Sequence, residues 1–396
     1  MHRETLNFIN SNGSDYGYKL ISKEYLMTVY PQIASQFITP ELWTWGRNNF
    51  GQLGDNIAIN RSTPVTTALG GSNWRQVSAS NINVAAIKLD GTLWTWGQNS
   101  YGQLGINNVT SPICTPVTTF AGGTNWQQVS CGFNHISAVK TDGTLWIWGR
   151  NNSGQLGNNT ASDRGTPIET FAGGGNWKQV SCGFQYTVAI KTDGTLWGWG
   201  QNNNGQLATF STSIRYTPVT TIAGGWDWKQ VSAGYFQTTA IKTDGTLWTW
   251  GTNSSISFSS LTPATTIVGG TNWKQVSSAT NSVAAIKTDG TLWVWGLNNN
   301  GQLGINNVSN RNNPVTTFSG GSNWKQVDGG SQTFTAVKTD GTLWTWGKNS
   351  YGQLGDNTTT NRSIPVTTFV GGTNWKQVAT AYCTIAIKAS DDLLGI

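Results

Sequence analysis

The chain has 396 residues, of which 11% are charged, 49 are glycine and 22 are tryptophan, with a net charge of +6. So little charge excludes long amphipathic helices, and the abundant Gly, Asn, Thr and Ser point to short strands and tight turns. The positive excess invites a nucleic-acid reading, but the cations fall in rings. Lys88, Lys140, Lys191, Lys242, Lys287, Lys338 and Lys388 recur once per repeat. Six of them have an Asp two residues on: Asp90, Asp142, Asp193, Asp244, Asp289 and Asp340. Residues two apart on a strand share a face, so this ring is expected to be neutralised locally. A second ring, Arg75, Lys178, Lys229, Lys274, Lys325 and Lys376, is read as a solvated structural ring, and no specific nucleic-acid partner is expected.

Residues 1–41 stand outside any repeat and form a predicted N-terminal arm. Ser22 to Val29 reads as a short helix capped by Ser22 and stopped before Pro31, behind a flexible stretch at Asn10 to Ser14. The opening Met1-His2-Arg3-Glu4-Thr5 lacks the apolar core of a signal peptide, and no stretch is long enough to span a membrane. The expectation is cytoplasmic synthesis, no membrane insertion, and an arm that docks the rest onto something larger.

From residue 42 to 396 one unit repeats seven times. Its Trp-x-Trp-Gly box opens at Trp43, Trp94, Trp146, Trp197, Trp248, Trp293 and Trp344, at spacings of 51, 52, 51, 51, 45 and 51. Each unit reads as four strands. In the copy best suited to illustrate it, the first strand begins at Trp177 and the second at Thr187. Asp193-Gly194 then predicts a two-residue type I′ hairpin, and Leu196 to Trp199 forms the third strand. After a long polar loop the fourth opens with Thr217-Pro218-Val219; Pro at a strand start suits an outer edge, which leaves the Gln-Val-Ser strand to line a central channel. Alternation puts both Trp rings of a box on one face, where each buries about 200 Å² between neighbouring units. The first box lacks a preceding hairpin, and the last unit ends at Lys388 without a box. The two ends are therefore expected to pair within one blade and close an all-β, seven-bladed propeller of four-stranded antiparallel blades.

The motif Trp-Gly-x-Asn-x-x-Gly-Gln-Leu-Gly stands at residues 45–54, 96–105, 148–157, 295–304 and 346–355. It resembles the signature of the regulator of chromosome condensation repeat family, over about residues 42–388. The resemblance implies a seven-bladed propeller whose terminal strands share a blade. Two copies depart from it: the fourth reads Gly205-Gln206-Leu207-Ala208, and the fifth, at Thr252-Asn253-Ser254-Ser255, has lost the Gly-Gln-Leu-Gly. The family's founder exchanges nucleotide on a small GTPase and binds chromatin. This chain shows no wedge inserted between blades and no basic tail, so that regulator role stands as the alternative. A light-sensing branch uses Gly-Trp-Arg-His-Thr motifs, and none occurs here. The nearest analogy within the family is a bacterial propeller that acts by surface contact alone.

No enzyme signal emerges. His2 and His135 cannot supply a multi-His metal site, and the cysteines Cys114, Cys131, Cys182 and Cys383 follow no metal or disulfide spacing. No cofactor is expected. In repeats, function sits where the units differ. The loop between strands one and two differs most, and carries Phe133, His135, Phe184, Tyr186, Tyr235 and Phe236 on three consecutive units. Two readings stay open: a partner-binding hot spot, or rings folded inward to cap the channel. Trp226 replaces the usual Thr or Ser of a loop on the opposite face and is expected to be exposed. The leading expectation is a non-catalytic protein-binding or structural module of bacterial or phage type, such as a virion component anchored by residues 1–41. The partner would be a protein or larger assembly at the channel mouth.

Overall fold

The computed structural model describes residues 40–389 apart from residues 72, 223 and 267. The proposed helix over Ser22 to Val29, and nearly all of the arm, lie outside the described residues. Twenty-eight strands form seven four-stranded antiparallel sheets. In one blade, β11 (Trp177–Cys182), β12 (Tyr186–Lys191), β13 (Leu196–Gly200) and β14 (Arg215–Thr220) lie side by side in chain order. The Thr-Pro-Val strand is the outer edge, as its proline requires.

Each blade packs on its neighbours through both faces, so its second strand is buried along most of its length. The apolar clusters are shared between blades: Val139, Leu145, Ile147 and Leu156 of one meet Trp177, Val180, Ala189 and Trp199 of the next. Within a blade, Trp177 meets Trp197 and Trp199 edge-on, at 6.1 and 6.0 Å between ring centres. The second Trp of the box also reaches across, and Trp199 Nε1 donates to Gln155 O at 2.9 Å. That contact explains the Gly-Gln-Leu-Gly loop. Gly157 has φ +61°, and a Cβ there would lie 2.7 Å from the Trp199 ring.

Two local expectations need correction. The Asp-Gly turn is not type I′, because only the glycine has positive φ (Gly194, +82°). Gly194 N donates to Lys191 O, and Lys191 N to Thr195 O, both at 3.0 Å. This is a three-residue loop, a type I turn closed by a glycine bulge. The Asp serves the turn: Asp193 Oδ1 accepts from Thr195 N at 2.9 Å and Thr195 Oγ1 at 2.7 Å. The threonine bonds, and after them the charge of Lys191, hold the Asp193 carboxyl below its ordinary pKa, so the lysine is balanced at a distance but not paired directly. Lys191 Nζ stands over two indoles instead, 4.8 Å from Trp177 and 4.5 Å from Trp197. The other six lysines of the ring stack on equivalent Trp pairs.

The chain ends close the ring. β1 (Glu41–Gly46) lies between β2 (Arg61–Thr66) and β28 (Cys383–Lys388), which in turn pairs with β27 (Trp375–Thr380). β1 and β28 are in continuous register from Glu41↔Lys388 to Gly46↔Cys383. Around the channel the innermost strands are laced by their glutamines. Gln76 Nε2 donates to Val129 O (3.1 Å) while its Oε1 accepts from Val129 N (2.9 Å). Gln128 and Gln179 repeat this with Val180 and Val231, and Gln377 completes the circle to Val77 N at 3.1 Å. A side-chain amide mimics a strand's own donor and acceptor, so neighbouring blades share a sheet-like ladder without pairing strands. The sequence reading placed these glutamines at the channel but missed this role. They line a cavity of about 230 Å³.

Candidate partner-binding face

The loops between first and second strands gather at one mouth of the channel. Four predicted residues meet there. Phe184 stacks on Tyr235 at 3.9 Å between ring centres and contacts Phe133 at 4.9 Å, and Tyr235 meets Phe236 edge-on at 4.4 Å. All four are half-buried. Phe133, Phe184 and Tyr235 line a shallow pocket of about 100 Å³ over the channel. Across the mouth, Ser331 Oγ hydrogen-bonds Asn81 Oδ1, tying together blades that are not neighbours. The mouth is thus capped, and the aromatic ladder is part of the cap with its outer surface still in contact with solvent.

Tyr186 and His135 do not belong to this surface, which corrects their selection. Each is the first residue of a second strand, and both are fully buried. Tyr186 Oη donates to Gln237 O at 2.8 Å on the next blade, and burial raises its pKa. His135 Nε2 is 2.9 Å from Thr187 Oγ1, and burial pushes the imidazole down to about 3, so it stays neutral. Alignment of the repeats carries the signal: Asn83, Ser282, Thr333 and Cys383 share that strand position and are buried too.

Opposite the ladder stands a second aromatic group. The Arg47 guanidinium lies 5.4 Å from Phe50, 5.3 Å from Tyr351 and 5.6 Å from Tyr382, and Tyr351 meets Tyr382 at 5.7 Å. These residues come from the closure blade and its neighbour, and the sequence reading did not select them. Trp226 is on the rear face and 74% exposed, as expected.

Among the described residues, no three metal-ligating side chains converge. Burial raises the pKa of Cys182 to about 11 and of Cys383 to about 12, which keeps both thiols protonated. Asp328, half-buried in the channel wall, stands where five other blades carry a serine and the closure blade carries Ala379. Its Oδ2 accepts from Thr380 N at 2.7 Å, and burial pushes its pKa up to about 7.

Comparison with known proteins agrees with this architecture. The pattern of the RCC1-like domain matches residues 35–259, and that of the regulator of chromosome condensation (RCC1) repeat matches 289–337 and 340–385. The ultraviolet-B receptor UVR8 of Arabidopsis thaliana is 30% identical over 330 residues, 82% of this chain and 64% of that protein. The probable E3 ubiquitin-protein ligase HERC4 of Rattus norvegicus is 32% identical over 190 residues, 47% of this chain and 18% of that protein. The chain thus spans less than two thirds of either relative. Human WBSCR16 superposes with a TM-score of 0.80 at 20% identity, covering 89% of this chain and all of that one. Yeast RCC1 (Prp20), solved bound to Kap60, gives 0.78 at 17% identity over 89% and 90%. At such identity the superpositions establish the fold alone. These relatives come from plant, animal and yeast, and give no support to a bacterial or phage origin or to a virion role. No described helix is long and apolar enough to cross a membrane.

Proposed function

Because the chain belongs to the RCC1-like domain family, we propose that it is a non-catalytic regulatory module that engages a protein partner through the capped mouth of its propeller. The carrying observation is the ladder of Phe133, Phe184, Tyr235 and Phe236, four contiguous rings on the mouth loops of three consecutive blades, each still partly open to solvent. Contiguous, half-buried aromatic rings are what interface hot spots are made of. Relatives of the same fold support a protein partner: one yeast structure was solved with Kap60 bound, another with its binding properties to Gsp1p and histones.

A nucleotide-exchange role is the second reading, favoured by the family. Against it, all seven connections from an outer strand to the next inner strand are seven residues long, with no inserted wedge. The test installs a photo-crosslinking amino acid at Phe236 or at Trp226 and exposes the protein to extract from its native source. Protein adducts of defined mass from position 236 are expected; adducts from position 226 alone would place the partner on the rear face. Accelerated nucleotide release from Gsp1p by the purified chain would move the reading to an exchange factor.

A further inference from the structure

Arginine and lysine are sorted between the two faces. Among the described residues every lysine but Lys348 belongs to the two rear rings, whereas every arginine but Arg75 stands on the mouth face. Five outer strands open with an arginine directly across from the box glycine: Arg61↔Gly46, Arg164↔Gly149, Arg215↔Gly200, Arg311↔Gly296 and Arg362↔Gly347. Arg47, Arg150 and Lys348 follow that glycine in three blades, and their backbone N–H groups bond to the mouth loops. These eight cations form a collar around the aromatic cap.

The collar is barely compensated. Only three carboxylates stand on the mouth face among the described residues, and all are engaged within their own loops. Asp55 pairs with Arg61 at 3.1 Å and Asp356 with Arg362 at 2.7 Å, while Asp163 Oδ1 accepts from Asn151 N at 2.7 Å. Arg47 Nε and Arg215 Nε are buried without a hydrogen-bond partner. Exposed apolar side chains are interleaved with the collar: Ile59, Val109, Val308 and Phe210, the last 88% exposed.

We propose that the mouth face recognises an acidic protein segment carrying apolar side chains, whose carboxylates are read by the arginine collar and whose apolar groups meet the aromatic cap and the exposed residues between the arginines. The inference rests on the mouth reading above and specifies its partner. Arginine, planar and weakly hydrated, takes a carboxylate in two parallel hydrogen bonds, which lysine cannot do. Mouth-to-mouth pairing of two copies is disfavoured, because like collars would confront each other with every described carboxylate of that face already engaged. A nucleic-acid backbone would match the cations but leaves the interleaved apolar groups without partners, whereas a protein interface matches both.

The test uses the full chain and a fluorescent peptide of Glu, Leu and Phe, with duplex DNA and phosphatidylserine vesicles as competing probes. One variant carries Arg164→Ala, Arg215→Ala and Arg311→Ala, none of which has an ion-pair partner among the described residues. A charge-matched control carries Lys178→Ala, Lys229→Ala and Lys274→Ala on the rear. The collar variant is expected to weaken peptide binding about tenfold or more and the rear variant less than about twofold, with unchanged melting of both. Equal losses would overturn the proposal, as would collar-dependent binding of DNA or vesicles tighter than of peptide. The two readings fail separately. Peptide binding that needs Phe184 and Phe236 but not the arginines sinks the acidic partner and leaves the mouth standing. Dependence on the rear lysines alone sinks both.

Discussion

The Gly-Gln-Leu-Gly loop offers a quantitative test of how neighbouring blades are joined. In the substitution Gly157→Ala, two costs add. The backbone at φ +61° is left-handed, which costs an L-residue about 1–2 kcal/mol. The new methyl would also fall 2.7 Å from the Trp199 ring, where overpacking costs about 1–3 kcal/mol. Trp199 is itself held by its hydrogen bond to Gln155 O and cannot easily retreat. The expected loss is about 3 kcal/mol. The fourth repeat supplies the converse. Ala208 already occupies the equivalent place at φ +48°, and Trp250 Nε1 still donates to Gln206 O at 2.9 Å. Packing there has adapted to the methyl, so Ala208→Gly relieves only backbone strain, for a gain of up to about 1 kcal/mol. Urea unfolding followed by Trp fluorescence reads both as midpoint shifts at common slope. An unshifted midpoint for Gly157→Ala, or a lowered one for Ala208→Gly, would refute the account of the loop.

Deleting residues 381–396 removes β28 and leaves β1 with an unpaired edge; aggregation or loss of cooperative unfolding is expected, and a monomer with an unchanged transition would sink the closure argument. Truncating Phe184 and Phe236 together to Ala is expected to cost a mouth partner more than about 2 kcal/mol by calorimetry while leaving the melting curve in place. Tyr186→Phe is expected to do the reverse: it strips the hydrogen bond to Gln237 O and costs about 1–2 kcal/mol of stability without changing binding. For Asp328 the folded pKa, about 7, stands above the ordinary value of 3.8. Its contribution is fully present below the ordinary value and is lost as pH rises to about 7, when a desolvated charge is forced into the channel. Asp328→Ser should remove that decline; an unchanged pH profile of stability would show that the carboxyl titrates normally.

Much of this molecule was legible from its repeat. The Trp spacing, the edge proline and the unmatched half-units at the two ends determined seven blades, their strand order and ring closure, because each follows from local pattern and chain connectivity. The aromatic ladder was legible as composition, since Phe133, Phe184, Tyr235 and Phe236 vary where the scaffold does not. What escaped were facts that depend on which side chains meet. Tyr186 and His135 look like loop residues until strand pairing places them at the first, buried position of a second strand. Lys191 and Asp193 share a face, but a lysine between two indoles and an aspartate beside a threonine hydroxyl each find a nearer partner. The arginine collar recurs three residues before the strand-four proline in five repeats, a signal present in the chain yet without meaning until the outer strands stand in a circle. Sequence determined the repeat and its count through local periodicity. Only the closed ring decided which repeated residues become one surface, because that surface joins side chains some fifty residues apart.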